Sequence, residues 1–138
     1  MASLLSPSLA LLAALALAVI PAAKQVALGG VEPADPKDKE VQKVVNFAVK
    51  TYNDMNNDLN LSRSIRVMSA SQQVVAGKNF YLKIELGRTT CTKAQSDLSD
   101  CPFIEQADQQ KRVICNFQIY VVPWLKKMSM TNFNCYNA

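Results

Sequence analysis

The chain contains no histidine, and no other feature of its composition removes as much chemistry. Ser-His-Asp and Cys-His catalysis both need an imidazole that exchanges protons near neutral pH. No Cys-x-x-Cys pair occurs either, so the usual zinc spacing is missing, and neither a metal nor a cofactor is expected. Glycine is scarce, at four in 138 residues, and there is one tryptophan. No strong excess of one charge is present: 15 Lys and Arg against 11 Asp and Glu leave +4. That falls short of a nucleic-acid footprint. The acidic residues are scattered and mostly interleaved with Lys, so no two are marked for acid–base work in a shared cleft. An enzyme is not expected.

Leu9 to Ile20 form the one long apolar run, with no Lys or Arg before it. It is too short to span a bilayer, and Pro21 and the small residues Ala22 and Ala23 follow. Residues 1–23 therefore read as a secretory signal peptide, in preference to an uncleaved anchor. Removing it leaves about 115 residues, one domain's worth. Four cysteines, Cys91, Cys101, Cys115 and Cys135, all fall in the C-terminal half. An even count in a secreted, extracellular chain reads as two disulfides, and a domain this small gains from such staples. Spacing alone leaves all three pairings open.

Residues 24–34, punctuated by Gly29, Gly30 and Pro33, read as a flexible arm. The domain proper, 35–138, opens with a helix signal: Asp35 as cap, Pro36 in the first position and Asp38 in the first turn. Val41, Val44, Val45, Ala48, Tyr52 and Met55 recur at steps of three and four and predict one amphipathic helix. It fades in the Asn/Asp-rich stretch 53–60. Ile65 to Val75 is β-branched with imperfect alternation, whereas Phe80, Leu82, Ile84 and Leu86 alternate cleanly. Ala76 to Asn79 between them predicts a hairpin turn. A polar excursion from Cys91 to Gln110 leads to a strand at Val113–Val121, broken by Pro123-Trp124, and to a weaker strand at Met128–Tyr136. One helix and four antiparallel strands make an α+β domain whose helix stripe must bury against the sheet.

Three features carry functional weight, and each has a plain structural alternative. Gln73-Val74-Val75-Ala76-Gly77 could be an ordinary strand entering a turn. Pro123-Trp124 could be a strand end with its indole folded into the core, and Gly29-Gly30 a mere hinge. Together, and in this order, they match one pattern. The chain resembles the type-2 cystatins, most nearly the cystatin C group. It carries a signal peptide, Gly-Gly near the mature N-terminus, Gln-x-Val-x-Gly at Gln73–Gly77 and Pro-Trp at Pro123-Trp124. Gly87 to Lys93, Asp100 to Phe103, Phe117 to Tyr120 and the spacing of the four cysteines also look like that family.

The resemblance implies a five-stranded antiparallel sheet wrapped around one long helix, with a short first strand in the arm. It implies the pairs Cys91–Cys101 and Cys115–Cys135, each worth about 2–4 kcal/mol in the chain-entropy picture. It also implies reversible, tight-binding inhibition of papain-like cysteine proteases, cathepsins of the B, H, L and S type, by occlusion. Ala27 and Leu28 would enter the non-primed pockets and Gly29 would mark the arm. Gln73, Val74, Val75, Ala76 and Gly77 would fill the middle of the cleft, and Pro123 and Trp124 the primed side. Ala27 is smaller than the residue many relatives carry there, which reduces the arm's expected grip.

Some relatives inhibit legumain through an Asn after the helix, and Asn57 is the matching residue, against an ordinary turn role. Asn60-Leu61-Ser62 is an N-glycosylation sequon. The active form is expected to be a monomer, with a domain-swapped dimer as the family's known alternative; neither nucleic acid nor membrane is an expected partner. A non-inhibitory carrier on the same fold is the runner-up, disfavoured because all three motifs are intact. A cationic host-defence protein would rest on the small charge alone.

Overall fold

The computed structural model describes residues 29–94 and 100–138. The signal segment 1–23, Ala27 and Leu28 lie outside them. A three-residue strand β1 (Val31–Pro33) precedes the helix α1 (Lys39–Met55). Four long strands follow: β2 (Asn60–Val75), β3 (Gly77–Thr92), β4 (Val113–Val122) and β5 (Lys127–Asn137). They form one antiparallel sheet in the order β1-β2-β3-β4-β5.

The apolar stripe of α1 drives the packing. Val41, Val44, Val45, Ala48 and Val49 meet the inward residues of β3 (Phe80, Leu82, Ile84, Leu86) and β4 (Cys115, Phe117, Ile119, Val121) in one buried cluster. Burying side chains such as Phe80, Ile84 and Ile119 contributes about 1.5–3 kcal/mol each. The stripe ends differently from the one expected. Met55 is exposed and Tyr52 half-buried, while Asn53 is buried beside the valines. An amide is tolerated there because both of its ends are used. Asn53 Nδ2 donates to Ser62 O, and Ser62 N–H donates to Asn53 Oδ1, each at 2.9 Å. This reciprocal pair ties the end of the helix to the start of β2.

The helix also begins later than Asp35-Pro36 suggests. Asp35 Oδ1 accepts from the Lys37 N–H at 2.9 Å, and Asp35 O accepts from the Asp38 N–H at 3.1 Å. That local turn competes with helix, so Asp38 becomes the cap residue. In β2 the ladder to β3 is irregular between Asn60 and Ser62, Ser64 and Arg66, and Val67 and Ser69. Each irregularity resets which face a side chain takes, which is why the alternation in this segment is poor. The β2–β3 turn is tighter than the four residues expected. Val75 pairs with Gly77, and Lys78 and Asn79 already belong to the ladder.

Two disulfides are formed. Cys115–Cys135 lies across β4 and β5, whose register sets the two residues opposite each other. Cys91–Cys101 closes the excursion after β3 and, with Leu61, makes a second small buried cluster. The excursion returns to the sheet through a bridge between Thr89 and Phe103 and through Thr90 N–H to Pro102 O at 3.0 Å. Among the described residues, no buried side-chain polar atom lacks a partner.

Replacing Asn53 by Ala strands the Ser62 N–H and C=O. The expected loss is about 2–4 kcal/mol of unfolding free energy, read by urea denaturation of the oxidised domain; a change below about 0.5 kcal/mol would show that water substitutes freely for the amide.

Candidate protease-binding edge

One end of the sheet gathers residues that lie far apart in sequence. The last ladder pairs of β2 and β3 bring the Gln73–Gly77 segment to this end, and Lys78 pairs with Val121 next to the β4–β5 connection. That connection is a 3₁₀ turn over Pro123–Leu125. Proline presets the backbone at its first position. The turn holds the indole outward: Trp124 is 67% exposed and Leu125 63%. The indole is therefore not folded into the core: the inward positions of β4 end at Val121, and the 3₁₀ turn begins two residues later.

Gly77 sits at the crux of this end. Its φ of +97° is a conformation that side-chain-bearing residues rarely adopt, and an added Cβ would lie 2.5 Å from Val121 O. Val75 and Ala76 are exposed at the tip, while Gly77 itself is buried. Tyr120 Oη donates to Ala76 O, which pins the tip to β4. Val74 is half-buried and sends its carbonyl the other way, accepting from the Gly29 N–H at 3.2 Å.

The arm is tied in by Gln73. Its Nε2 donates to Gly29 O at 2.8 Å, while its Oε1 accepts from Tyr81 Oη at 3.1 Å. Val31 pairs with Gln73 in the β1–β2 ladder. At Gly29, φ is +83°, and nothing lies within 4 Å of where a Cβ would be at either Gly29 or Gly30. Gly29, the hairpin tip and the Pro123-Trp124 turn thus form one continuous projecting edge. Tyr81 and Tyr120 position it, and reading the sequence missed both. Their signal is faint: each is an aromatic on the polar, outward face of an alternating strand, where no core demands one.

Asn57 lies at the opposite end. It is exposed in the α1–β2 loop, and that loop is braced on every side. Asn56 Oδ1 accepts from the Asp58 N–H at 3.0 Å, and Asp58 Oδ1 accepts from the Asn60 N–H at 3.1 Å. Arg88 Nε donates to Asp58 Oδ2 at 2.7 Å, and the Lys93 N–H donates to Leu59 O at 3.0 Å. Partial burial pushes the Asp58 carboxyl upward, but the Asn60 N–H and the Arg88 guanidinium outweigh it and hold the group below the usual carboxylate range. Asn60, the sequon residue, is half-buried, with Nδ2 donating to Thr89 O at 3.0 Å, and Ser62 is buried. In the folded chain the Asn60 amide is thus engaged with β3.

Among the described residues, no cluster of His, Cys, Asp and Glu could hold a metal ion, and both disulfides leave no free thiol. What this arrangement offers is shape: an edge on the end of the sheet whose Val75-Ala76-Gly77 tip carries no charge.

Comparison with known proteins fits that description. A cystatin-domain family model matches residues 29–124. Cystatin-D of Mus musculus is 78% identical, with 99% of each chain covered. Cystatin-C of Homo sapiens is 42% identical over 91% of this chain and 90% of its own. Among solved structures, dimeric human cystatin F aligns with a TM-score of 0.74 at 29% identity, covering 83% of this chain and 92% of its own. The chain belongs to the cystatin family, protease inhibitors rather than enzymes, as a type-2 cystatin close to the cystatin C group.

Proposed function

We propose that the chain is a secreted, extracellular, reversible and tight-binding inhibitor of papain-like cysteine proteases of the cathepsin B, H, L and S type. Residues 1–23 are its signal peptide, 24–34 its arm and 35–138 its inhibitory domain. The observation that carries the reading is the single edge formed by Gly29, the Val75–Gly77 tip and the exposed Pro123-Trp124 turn. Such an edge loses little on desolvation, because its tip carries no charge. Ala27 and Leu28 precede Gly29 in the sequence and are the residues that would enter the non-primed pockets. Gln73, Val74, Val75, Ala76 and Gly77 block the centre of the cleft, and Trp124 covers the primed side. Occlusion needs no reactive group on the inhibitor, in keeping with a chain that has no histidine and no free thiol.

The active species is the monomer. Exchange of β1, α1 and β2 between two chains would open the Gly77 turn into continuous strand and erase the tip, so a swapped dimer would not inhibit.

A second reading concerns Asn57 and adds to the first. The loop is held on both flanks while Asn57 itself stays exposed, an arrangement suited to presenting an Asn to legumain. β2 runs from this loop to the hairpin tip, a span of roughly 50 Å at full extension, so the two sites would not compete for space.

Titration of active-site-quantified papain with the mature monomer should reach full inhibition at one to one; undisturbed peptide turnover at micromolar inhibitor would remove the occlusion reading. Trp124→Ala should raise the inhibition constant by about 2 kcal/mol or more, and Leu28→Ala by about 1–2 kcal/mol for some cathepsins. Equal constants for Leu28→Ala across several cathepsins would deny it an anchoring role.

Tyr120→Phe frees the Ala76 carbonyl while leaving every protease contact in place. Dissociation from papain should quicken roughly fivefold, a cost of about 1 kcal/mol, with unchanged thermal stability. Unchanged dissociation would mean that Tyr120 does not hold the tip.

For the second site, Asn57→Lys should abolish legumain inhibition and spare papain inhibition; a variant that still inhibits legumain would clear Asn57 of the role. The brace has its own pH signature. Because the folded state lowers the Asp58 pKa, its stabilising contribution is complete above the ordinary carboxylate pKa of about 4 and is lost as pH falls through the depressed value. The gap in melting temperature between the native chain and Asp58→Asn should therefore narrow between about pH 5 and pH 2. A constant gap would contradict the ion pair's role.

A further inference from the structure

An open depression lies directly beside the Pro123-Trp124 turn. Val121, Pro123 and Met128 form its apolar floor, and Glu40, Lys43, Lys126 and Lys127 its rim. The single rim carboxylate is already committed, because Lys78 Nζ lies 2.7 Å from Glu40 Oε1. Lys43, Lys126 and Lys127 are exposed, and none of the ion pairs among the described residues includes them. The depression therefore carries three uncompensated positive charges at the edge proposed to enter a protease.

A second observation sets Lys126 apart from the other two rim lysines. Its φ is +50°, and its N–H donates to Pro123 O at 3.0 Å to close the 3₁₀ turn. Glycine or asparagine is the usual occupant of that conformation. A lysine there accepts backbone strain while its ammonium group stays in solvent, which points to a role for the side chain outside the fold.

Resting on the occlusion reading, we infer that Lys43, Lys126 and Lys127 form a selectivity rim that steers the inhibitor toward proteases with carboxylates along the primed side of the cleft. The apolar floor accepts an apolar side chain from the same loop of the protease. Charges at the border of an interface act mainly on the encounter rate and its salt dependence, whereas the buried contacts of Trp124 and the hairpin tip set dissociation. The rim thus sorts among targets that the apolar edge would hold about equally well.

Stopped-flow association tests this with one papain-like protease bearing acidic residues on its primed rim and a variant of it with those residues changed to Asn or Gln. The inhibitors are the native chain, Lys126→Glu/Lys127→Glu and Lys43→Glu, each checked for fold by circular dichroism and melting temperature. At low salt the double reversal should slow association with the acidic protease by about tenfold or more, with dissociation changed by less than about twofold. The difference should shrink in about 0.5 M salt, where screening is nearly complete, and vanish with the neutralised protease. Inhibition that persists with association rates and salt slopes equal among all three inhibitors would overturn the rim and leave the occlusion reading intact. If the native chain bound neither protease, both readings would fall. Salt-sensitive retention of the native chain on heparin, without any effect of the reversals on protease association, would assign the lysines to a polyanion instead and likewise overturn the proposal.

Discussion

The burial of one helix stripe against the sheet governs everything else in this molecule. Five small or branched residues of α1 pack on one face of the sheet, against Phe80, Ile84, Leu86 and Ile119. Valine and alanine let the helix sit close to the strands, which a stripe of leucines would hold farther off. Because the inward positions are spent on this contact, the ends of the strands are left free of core duty. Residues there can be small, apolar and exposed without weakening the domain. The projecting edge exists because the core does not need it.

Rigidity at that edge comes from ties at its base. Gln73 spans from the arm to Tyr81, and Tyr120 holds the Ala76 carbonyl. The exposed residues themselves make few contacts. A binding surface organised in this way loses little conformational freedom on association, which leaves more of its contact energy available as affinity. The same division holds at the far end, where Asn56, Asp58 and Arg88 carry the loop and Asn57 is left untouched.

Much of this was legible in the residues. Clean alternation from Phe80 to Leu86 and from Val113 to Val121 located β3 and β4 because both faces have simple, opposite environments. The segment that became β2 was harder, since its bulges shift side chains between faces and blur the period. The helix start was misplaced because Asp35 serves a turn as readily as a cap, and only tertiary context decides. Asn53 read as the fading of the helix and proved to be its anchor, since a buried amide is visible only once its partner Ser62, nine residues on, is in place. At the candidate site, short motifs exposed the Gly, Gln-x-Val-x-Gly and Pro-Trp pieces. The tyrosines behind them had no motif, and Lys126 gave no hint of its left-handed backbone.

The irregular ladder of β2 has one more effect. Among the described residues, β1 covers this strand only from Ser71 to Gln73, and most of its outer margin has no neighbouring strand. A long, flat margin of that kind invites a strand from another molecule and, with it, fibre growth. Three breaks in register along β2, with Arg63 and Arg66 carried on the same stretch, deny an incoming chain any straight run of matching amides. The distortions that obscure this strand on paper thus help guard its open margin against edge-to-edge association.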